Sequence, residues 1–229
     1  MLNSQESIFE KYKYEVLSEK YLDYDLSFKV IIIGDSGVGK TKLVNKAINK
    51  KNDIEYSATI GFEYASYNIK INDKVCKLQI WDTCGQENYK SLILNFYRNS
   101  SLIILIYSID NKLSFQNVEN WNNEIVNNCR NDIKKILVGN KIDLENEREI
   151  SFNDGLEYAK KNNFDYFFES SIINGINVDN IFIKSSILLF DDYINNHYDD
   201  ISYYSEISDY TNSVILKKNK NDKSFFKCC

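Results

Sequence analysis

The stretch Phe28-Lys29-Val30-Ile31-Ile32-Ile33-Gly34-Asp35-Ser36-Gly37-Val38-Gly39-Lys40-Thr41 decides the fold. Its first six residues form a short, β-branched run stopped by Gly34, the pattern of a strand buried on both faces. Residues 40–50 follow with helical spacing at Leu43, Val44, Ala47 and Ile48. Between strand and helix lies G-x-x-x-x-G-K-[ST], the phosphate-loop pattern. Glycines there let several N–H groups turn inward, an anion nest at the positive end of a helix. Lys40 adds a full positive charge for outer phosphates, and Thr41 a small neutral oxygen suited to Mg²⁺. The plainer reading is a glycine-rich turn with an incidental lysine, which the strand before and the helix after disfavour.

Outward from this loop, strand-like and helix-like stretches alternate. Residues 62–71 and 74–81 read as two strands around the turn signal Asn72-Asp73. Ala65, Tyr67, Ile69 and Ile71 share one face of the first, and Cys76, Leu78 and Ile80 one face of the second. Apolar runs follow at Leu102 to Tyr107, Ile136 to Gly139 and Tyr166 to Phe168, separated by helix-length stretches near 112–128, 151–162 and 177–190. The pattern predicts an α/β fold of the P-loop NTPase class: a six-stranded, mainly parallel sheet with one antiparallel strand and helices on both faces. Ligands on such sheets bind at the carboxyl ends of the strands.

The ends differ from the middle. Residues 1–27 are charged and tyrosine-rich, with a short amphipathic stretch (Ile8, Tyr12, Val16), and read as a flexible or partly helical extension to a domain over 28–190. Within the tail, 191–229, residues 191–210 carry Asp191, Asp192, Asp199, Asp200, Glu206 and Asp209 and no Lys or Arg. Lys217, Lys218, Lys220, Lys223 and Lys227 then face only Asp222, and Cys228-Cys229 follow. Such sign blocks read as solvated. The 229-residue chain carries a net charge of −5, against a basic nucleic-acid binder. Its 5 cysteines have no zinc spacing, no apolar run approaches a membrane span, and no secretory leader is evident. A reduced cytosolic setting is expected. Proline is absent, so no hinge relies on an X-Pro bond.

Two later elements choose among ATPases, small-molecule kinases and GTPases. Asn140-Lys141-Ile142-Asp143 follows the strand Ile136 to Gly139. A carboxylate at that strand end can accept from two adjacent N–H donors, which guanine presents and adenine does not. Asp143 therefore reads as the guanine selector, with Asn140 and Lys141 able to tie its loop to the phosphate loop. Alone, the four residues could be a surface turn. The second element is Trp81-Asp82-Thr83-Cys84-Gly85-Gln86-Glu87, also at a strand end. Asp82 can hold Mg²⁺ through a water, the Gly85 N–H can meet the γ-phosphate, and Gln86 can orient an attacking water.

With these residues in place the chain, over about 28–190, resembles the Rab family of Ras-superfamily small GTPases. The resemblance implies nucleotide contacts from Asp35, Ser36, Gly37, Val38, Gly39, Lys40, Thr41 and Lys42, from Gly85, and from Asn140, Lys141 and Asp143. Thr59 in Ala58-Thr59-Ile60-Gly61 matches the switch I threonine that closes on Mg²⁺ and γ-phosphate, so the implied metal set is Thr41, Thr59 and Asp82. Glu169-Ser170-Ser171 resembles the last guanine-contact loop, with Ser171 and the Ile172 N–H at the base. Ile60-Gly61-Phe62-Glu63-Tyr64, Lys77-Leu78-Gln79-Ile80-Trp81, Asn88-Tyr89-Lys90-Ser91-Leu92 and Phe96-Tyr97-Arg98 are similar to stretches characteristic of Rabs. By that similarity Ile60, Tyr64, Trp81 and Phe96 face effectors, although three aromatics can also simply fill a core.

The resemblance further implies a monomeric, slow GTPase with Gln86 as catalytic residue. Its implied partners are an exchange factor, a GAP, a GDP-dissociation inhibitor, a Rab escort protein and effectors. Cys228 and Cys229 resemble the double-cysteine geranylgeranylation signal, which implies a lipid anchor on the cytoplasmic face of endomembranes, cycling with cytosol. No nucleic acid is implied. Four departures stand out: Asn52 where an aromatic usually flanks the base, Cys84 for a smaller residue, and Ile172-Ile173 where Ala-Lys is usual. Lost stacking and apolar cover predict intact guanine selectivity with weaker affinity and faster exchange. Two alternatives stand beside this reading. One is a metabolic NTP-using enzyme, for which no acceptor-site insertion is present. The other is a pseudo-GTPase scaffold that holds nucleotide without cycling.

Overall fold

A computed structural model of the chain describes residues 10–18, 21, 23–48, 62–83 and 96–196. Seven strands make one sheet: β1 (Tyr14–Leu17), β2 (Leu26–Ile33), β3 (Phe62–Ile71), β4 (Lys74–Thr83), β5 (Leu102–Ser108), β6 (Lys134–Asn140) and β7 (Tyr166–Ser170). Their order is β1-β3-β4-β2-β5-β6-β7. The helices are α1 (Lys40–Ala47), α2 (Lys112–Gln116), α3 (Val118–Asn128), α4 (Phe152–Lys161) and α5 (Val178–Asn196), with a 3-10 turn over Ile142–Glu147.

The central strands are apolar on both sides because both sides are covered. Ile31, Ile33, Ile103, Leu105 and Tyr107 join Val118, Trp121 and Ile125 of α3 and Ala159 of α4 in one core. The residues alternating with them, Val30, Ile32, Leu102, Ile104 and Ile106, are equally buried on the opposite side. There Phe182 of α5 lies against Tyr67 of β3, with ring centroids 5.5 Å apart. Local chemistry sets the boundaries. Asn72 takes the left-handed φ of 50° that the β3–β4 turn needs. Ser151 and Asp154 form a reciprocal capping box that starts α4. Asn111 caps α2 through the Ser114 N–H.

The α/β class and the single reversed strand are as the sequence predicts, but the sheet has seven strands rather than six. The extra one is β1, from the segment expected to be flexible or partly helical. It pairs antiparallel to β3, with Tyr14 opposite Ile71 and Leu17 opposite Asn68. Since β3 is also antiparallel to β4, β1 runs with the rest, and among the described strands only β3 runs against them. The pairing satisfies backbone groups along the Asn68–Ile71 edge, and Asn68 Nδ2 donates to the Ser18 and Tyr21 carbonyls at 3.1 Å each. β2 also begins at Leu26, inside the expected extension, and α5 runs to Asn196, beyond the expected boundary at 190. By compactness the chain divides into Met1–Asp191 and Asp192–Cys229.

Between β4 on one side and β5 on the other, β2 marks the point where the strand order reverses. A crevice beyond its carboxyl end follows from that topology. Gly34 leaves β2 there.

Candidate functional site

The phosphate loop is built by close approach. A Cβ on Gly34 (φ 138°) would lie 2.1 Å from the Ile106 carbonyl oxygen of β5, so only glycine lets the chain leave the sheet here. At the other end Gly39 (φ 102°) caps α1 with no side-chain acceptor, and the first turn of α1 contains no acidic residue. A Cβ on Gly39 would come within 2.4 Å of Asn140 Nδ2. The first turn of α1 thus brings no acidic side chain of its own and carries Lys40 and Lys42, the arrangement that suits an anion. Lys40 is buried and donates from Nζ to the carbonyls of Gly34 (2.9 Å) and Asp35 (2.7 Å). Ser36, Gly37 and Lys42 are exposed, and Val38 is buried.

The Asp35 side chain leans away from the loop's own residues. Its Oδ1 accepts from Trp121 Nε1 at 2.8 Å and its Oδ2 from Asn117 Nδ2 at 2.7 Å. Neither partner stands out in the sequence, where a tryptophan on an apolar helical face reads as core.

Thr41 and Asp82 converge from α1 and β4, the Thr41 hydroxyl donating to Asp82 Oδ2. Asp82 Oδ1 is buried without a hydrogen-bond partner. Burial pushes the Asp82 carboxyl up to about 6, opposed by the Thr41 hydroxyl and the Lys40 ammonium, with Glu63 adding to the rise. An orphaned carboxylate oxygen beside a hydroxyl fits a hard cation such as Mg²⁺, which takes oxygen ligands. Among the described residues no group of three or more His, Cys, Asp and Glu can hold a metal. A cation at Thr41 and Asp82 therefore needs further oxygens from a nucleotide or water.

Beyond the carboxyl ends of β6 and β7 two loops meet the phosphate loop. Asn140, wholly buried, donates from Nδ2 to the Val38 carbonyl at 2.8 Å and accepts at Oδ1 from Ser170 Oγ at 3.1 Å. Lys141 takes a left-handed φ of 69°, and its Nζ lies 3.5 Å from Asp110 Oδ2. Asp143 Oδ1 accepts from Ser171 Oγ at 2.6 Å, and Ser171 Oγ in turn accepts the Asn174 N–H at 3.1 Å. Arg148 spans both loops: its guanidinium forks onto Glu169 at 2.6 and 2.9 Å, and its Nε reaches Glu145. Asn140, Asp143, Ser171 and the phosphate loop thus form one connected set.

A model of the Ras family matches residues 29–189. Ras-related protein Rab11B of Nicotiana tabacum is 39% identical over 162 residues, 71% of this chain and 74% of that one. Ras-related protein Rab-2B of Dictyostelium discoideum is 39% identical over 171 residues, 73% of this chain and 82% of its own. The chain belongs to the Rab branch of the Ras family. A third relative, Ras-related protein Rab-11B of Dictyostelium discoideum, is 34% identical over 205 residues, 90% of this chain and 87% of its own.

Within this Rab-like small GTPase, Tyr64, Trp81 and Phe96 do come together. Ring centroids lie 5.3 Å apart for Tyr64–Trp81 and for Trp81–Phe96. Phe62 completes the cluster, 4.8 Å from Phe96 and 5.5 Å from Trp81. Its signal is the strand period, which puts residues 62 and 64 on the face opposite Ala65 and Tyr67. Phe62 and Tyr64 are 49% and 48% exposed, so the cluster forms part of the surface as well as covering a core.

Of the departures from the Rab pattern, Ile173 is 77% exposed. Ile172 is half-buried, its Cδ1 beside Gly39 of the phosphate loop. Asn52, Thr59, Ile60, Cys84, Gly85, Gln86, Cys228 and Cys229 lie outside the described residues.

Proposed function

We propose that this chain binds GTP and GDP with Mg²⁺, hydrolyses GTP, and serves as a membrane-anchored switch in vesicle-mediated protein transport. The observation that carries the reading is the bond from Asn140 to Val38, which joins a guanine-type loop to a phosphate-type loop beside the Thr41–Asp82 pair. In this reading the N–H groups around Gly39 and the Lys40 ammonium hold the phosphates. Asp143 accepts from the guanine edge, and Ser171 and the Ile172 N–H complete the base contacts. Mg²⁺, held by Thr41, Thr59 and Asp82 with the nucleotide, would neutralise charge on the phosphates. Gln86 would orient the attacking water, and loss of the γ-phosphate would release Thr59 and Gly85 from it.

The partners proposed are those of a cycling Rab: exchange factor, GAP, GDP-dissociation inhibitor, escort protein, and effectors at Ile60, Tyr64, Trp81 and Phe96. Among the described residues no helix is long and apolar enough to cross a membrane. Attachment to the cytoplasmic face of endomembranes rests here on lipid at Cys228 and Cys229, since two chains anchor stably where one does not. The departures at Asn52, Cys84, Ile172 and Ile173 favour weaker affinity and faster exchange than is usual in the family.

Single-turnover hydrolysis of bound GTP tests this. The wild-type chain should turn over at about 10⁻⁴ to 10⁻³ s⁻¹ without a GAP. Gln86→Leu should retain GTP and hydrolyse it more slowly. Nucleotide retention with no turnover in the wild type would make the protein a scaffold instead.

A further inference from the structure

Asp35 stands at an open position of the G-x-x-x-x-G-K-[ST] pattern, so the motif itself assigns it no side-chain task. In the fold it faces two ways. Its main-chain oxygen accepts from Lys40 Nζ at 2.7 Å, and its carboxylate accepts from Trp121 Nε1 at 2.8 Å and Asn117 Nδ2 at 2.7 Å. Trp121 is 6% exposed, and an indole N–H can only donate, so its one polar atom is spent on the phosphate loop. Asn117 immediately precedes α3 and Trp121 lies one turn into it, four residues on and on the same face.

The chemistry explains why a clamp is needed. A carboxylate on a loop shaped for phosphate carries the wrong charge for its neighbour. Two donors from outside the loop fix the carboxylate towards α3, and hydrogen bonds to an ionised acceptor are the stronger kind. The same residue's carbonyl holds the Lys40 ammonium, so the rotamer of Asp35 and the placement of Lys40 are set by one backbone unit.

We propose that Trp121 and Asn117 are positioning residues for phosphate binding, acting through Asp35 to hold the loop and Lys40 in the phosphate-accepting form. This rests on the reading of the chain as a guanine-nucleotide binder. Trp121 contacts no nucleotide; it sets how long one is retained.

The test is release of fluorescent mant-GDP from the full chain, with thermal stability followed in parallel. Trp121→Phe keeps the ring and removes the N–H. Asn117→Ala removes the second donor from outside the core and carries the test should Trp121→Phe not fold. Asp35→Asn replaces one acceptor oxygen with an amide that faces donors. Release should quicken about tenfold in Trp121→Phe and less in Asn117→Ala. The pair Trp121→Phe/Asp35→Asn should release no faster than the faster single variant, because both break one unit. Preference for GDP over inosine diphosphate should stay at the wild-type value, since the base loops are untouched. Release within about twofold of wild type in every folded variant overturns the proposal, even if stability falls. So do single effects that multiply in the pair, or a change in base preference. A wild-type chain that does not retain mant-GDP overturns the functional reading, and the clamp with it.

Discussion

Asn140 Nδ2 donates to the Val38 carbonyl at 2.8 Å, closing a contact between residues 102 apart in the chain. The side chain is wholly buried and its Oδ1 accepts from Ser170, so three loops share one amide. Asn140→Ala leaves the Val38 carbonyl and the Ser170 hydroxyl without that partner. The expected cost is about 1–3 kcal/mol of stability by urea denaturation, with clearly faster mant-GDP release. Unchanged release would mean that the two loops hold together without it.

Asp143 should set the base. Its Oδ1 already accepts from Ser171 Oγ at 2.6 Å, so the carboxylate is held in place before a base arrives. Asp143→Asn puts a donor where guanine presents donors and should lower GDP affinity about 100-fold or more. Xanthosine diphosphate, with an oxygen at that ring position, should bind the variant better than the parent. Competition binding with the two diphosphates reads both effects.

Arg148 and Glu169 are 18% and 11% exposed, and their fork is bidentate. Glu169 precedes Ser170 and Ser171, and its carbonyl accepts from Asn177 Nδ2 at 2.7 Å. Arg148→Ala leaves a carboxylate poorly solvated and unpaired, at a cost of about 3 kcal/mol. Arg148→Lys should recover only part, because an ammonium cannot present the fork. Midpoints of chemical denaturation for the three proteins should fall in the order Arg, Lys, Ala.

The central strands and the phosphate loop were legible because their signals are local: an apolar run, a glycine stop, a lysine, a helical period. The contacts that join the loops are not local. Trp121 reads as core by its spacing, and it is core; its bond to Asp35 spans 86 residues and leaves no trace in the pattern around it. β1 leaves no sequence signal for a related reason. Four residues with Tyr14 and Val16 about half exposed lack a buried face to betray a strand, and only the open edge of β3 makes them one. The sequence expects a boundary at 190, yet α5 runs on to Asn196, because Asp191 is taken up by the Tyr12 hydroxyl and the Lys11 ammonium, partners far off in the sequence. Phe62 stands two residues before Tyr64, and the alternation of β3 assigns it to the aromatic surface only once Tyr64 is placed there.

The anchoring of β1 gives the last prediction. Tyr12, 8% exposed, sets its ring edge-on to Phe190 at 5.2 Å and donates from its hydroxyl to Asp191 Oδ1 at 2.6 Å. Lys11 Nζ meets the same oxygen at 2.8 Å but is 53% exposed. Ring burial, hydroxyl and ion pair should therefore contribute in that order. Tyr12→Ala should cost about 2–3 kcal/mol, below a core aromatic because the site borders solvent. Tyr12→Phe should cost about 1 kcal/mol, and Lys11→Ala less than about 1 kcal/mol. Once β1 loosens, the Asn68–Ile71 edge of β3 regains unpaired backbone groups, which invite pairing between copies. Light scattering should show concentration-dependent association in Tyr12→Ala and none in Lys11→Ala. A Tyr12→Ala protein as stable and as monomeric as wild type would mean that β1 is not needed to close the edge.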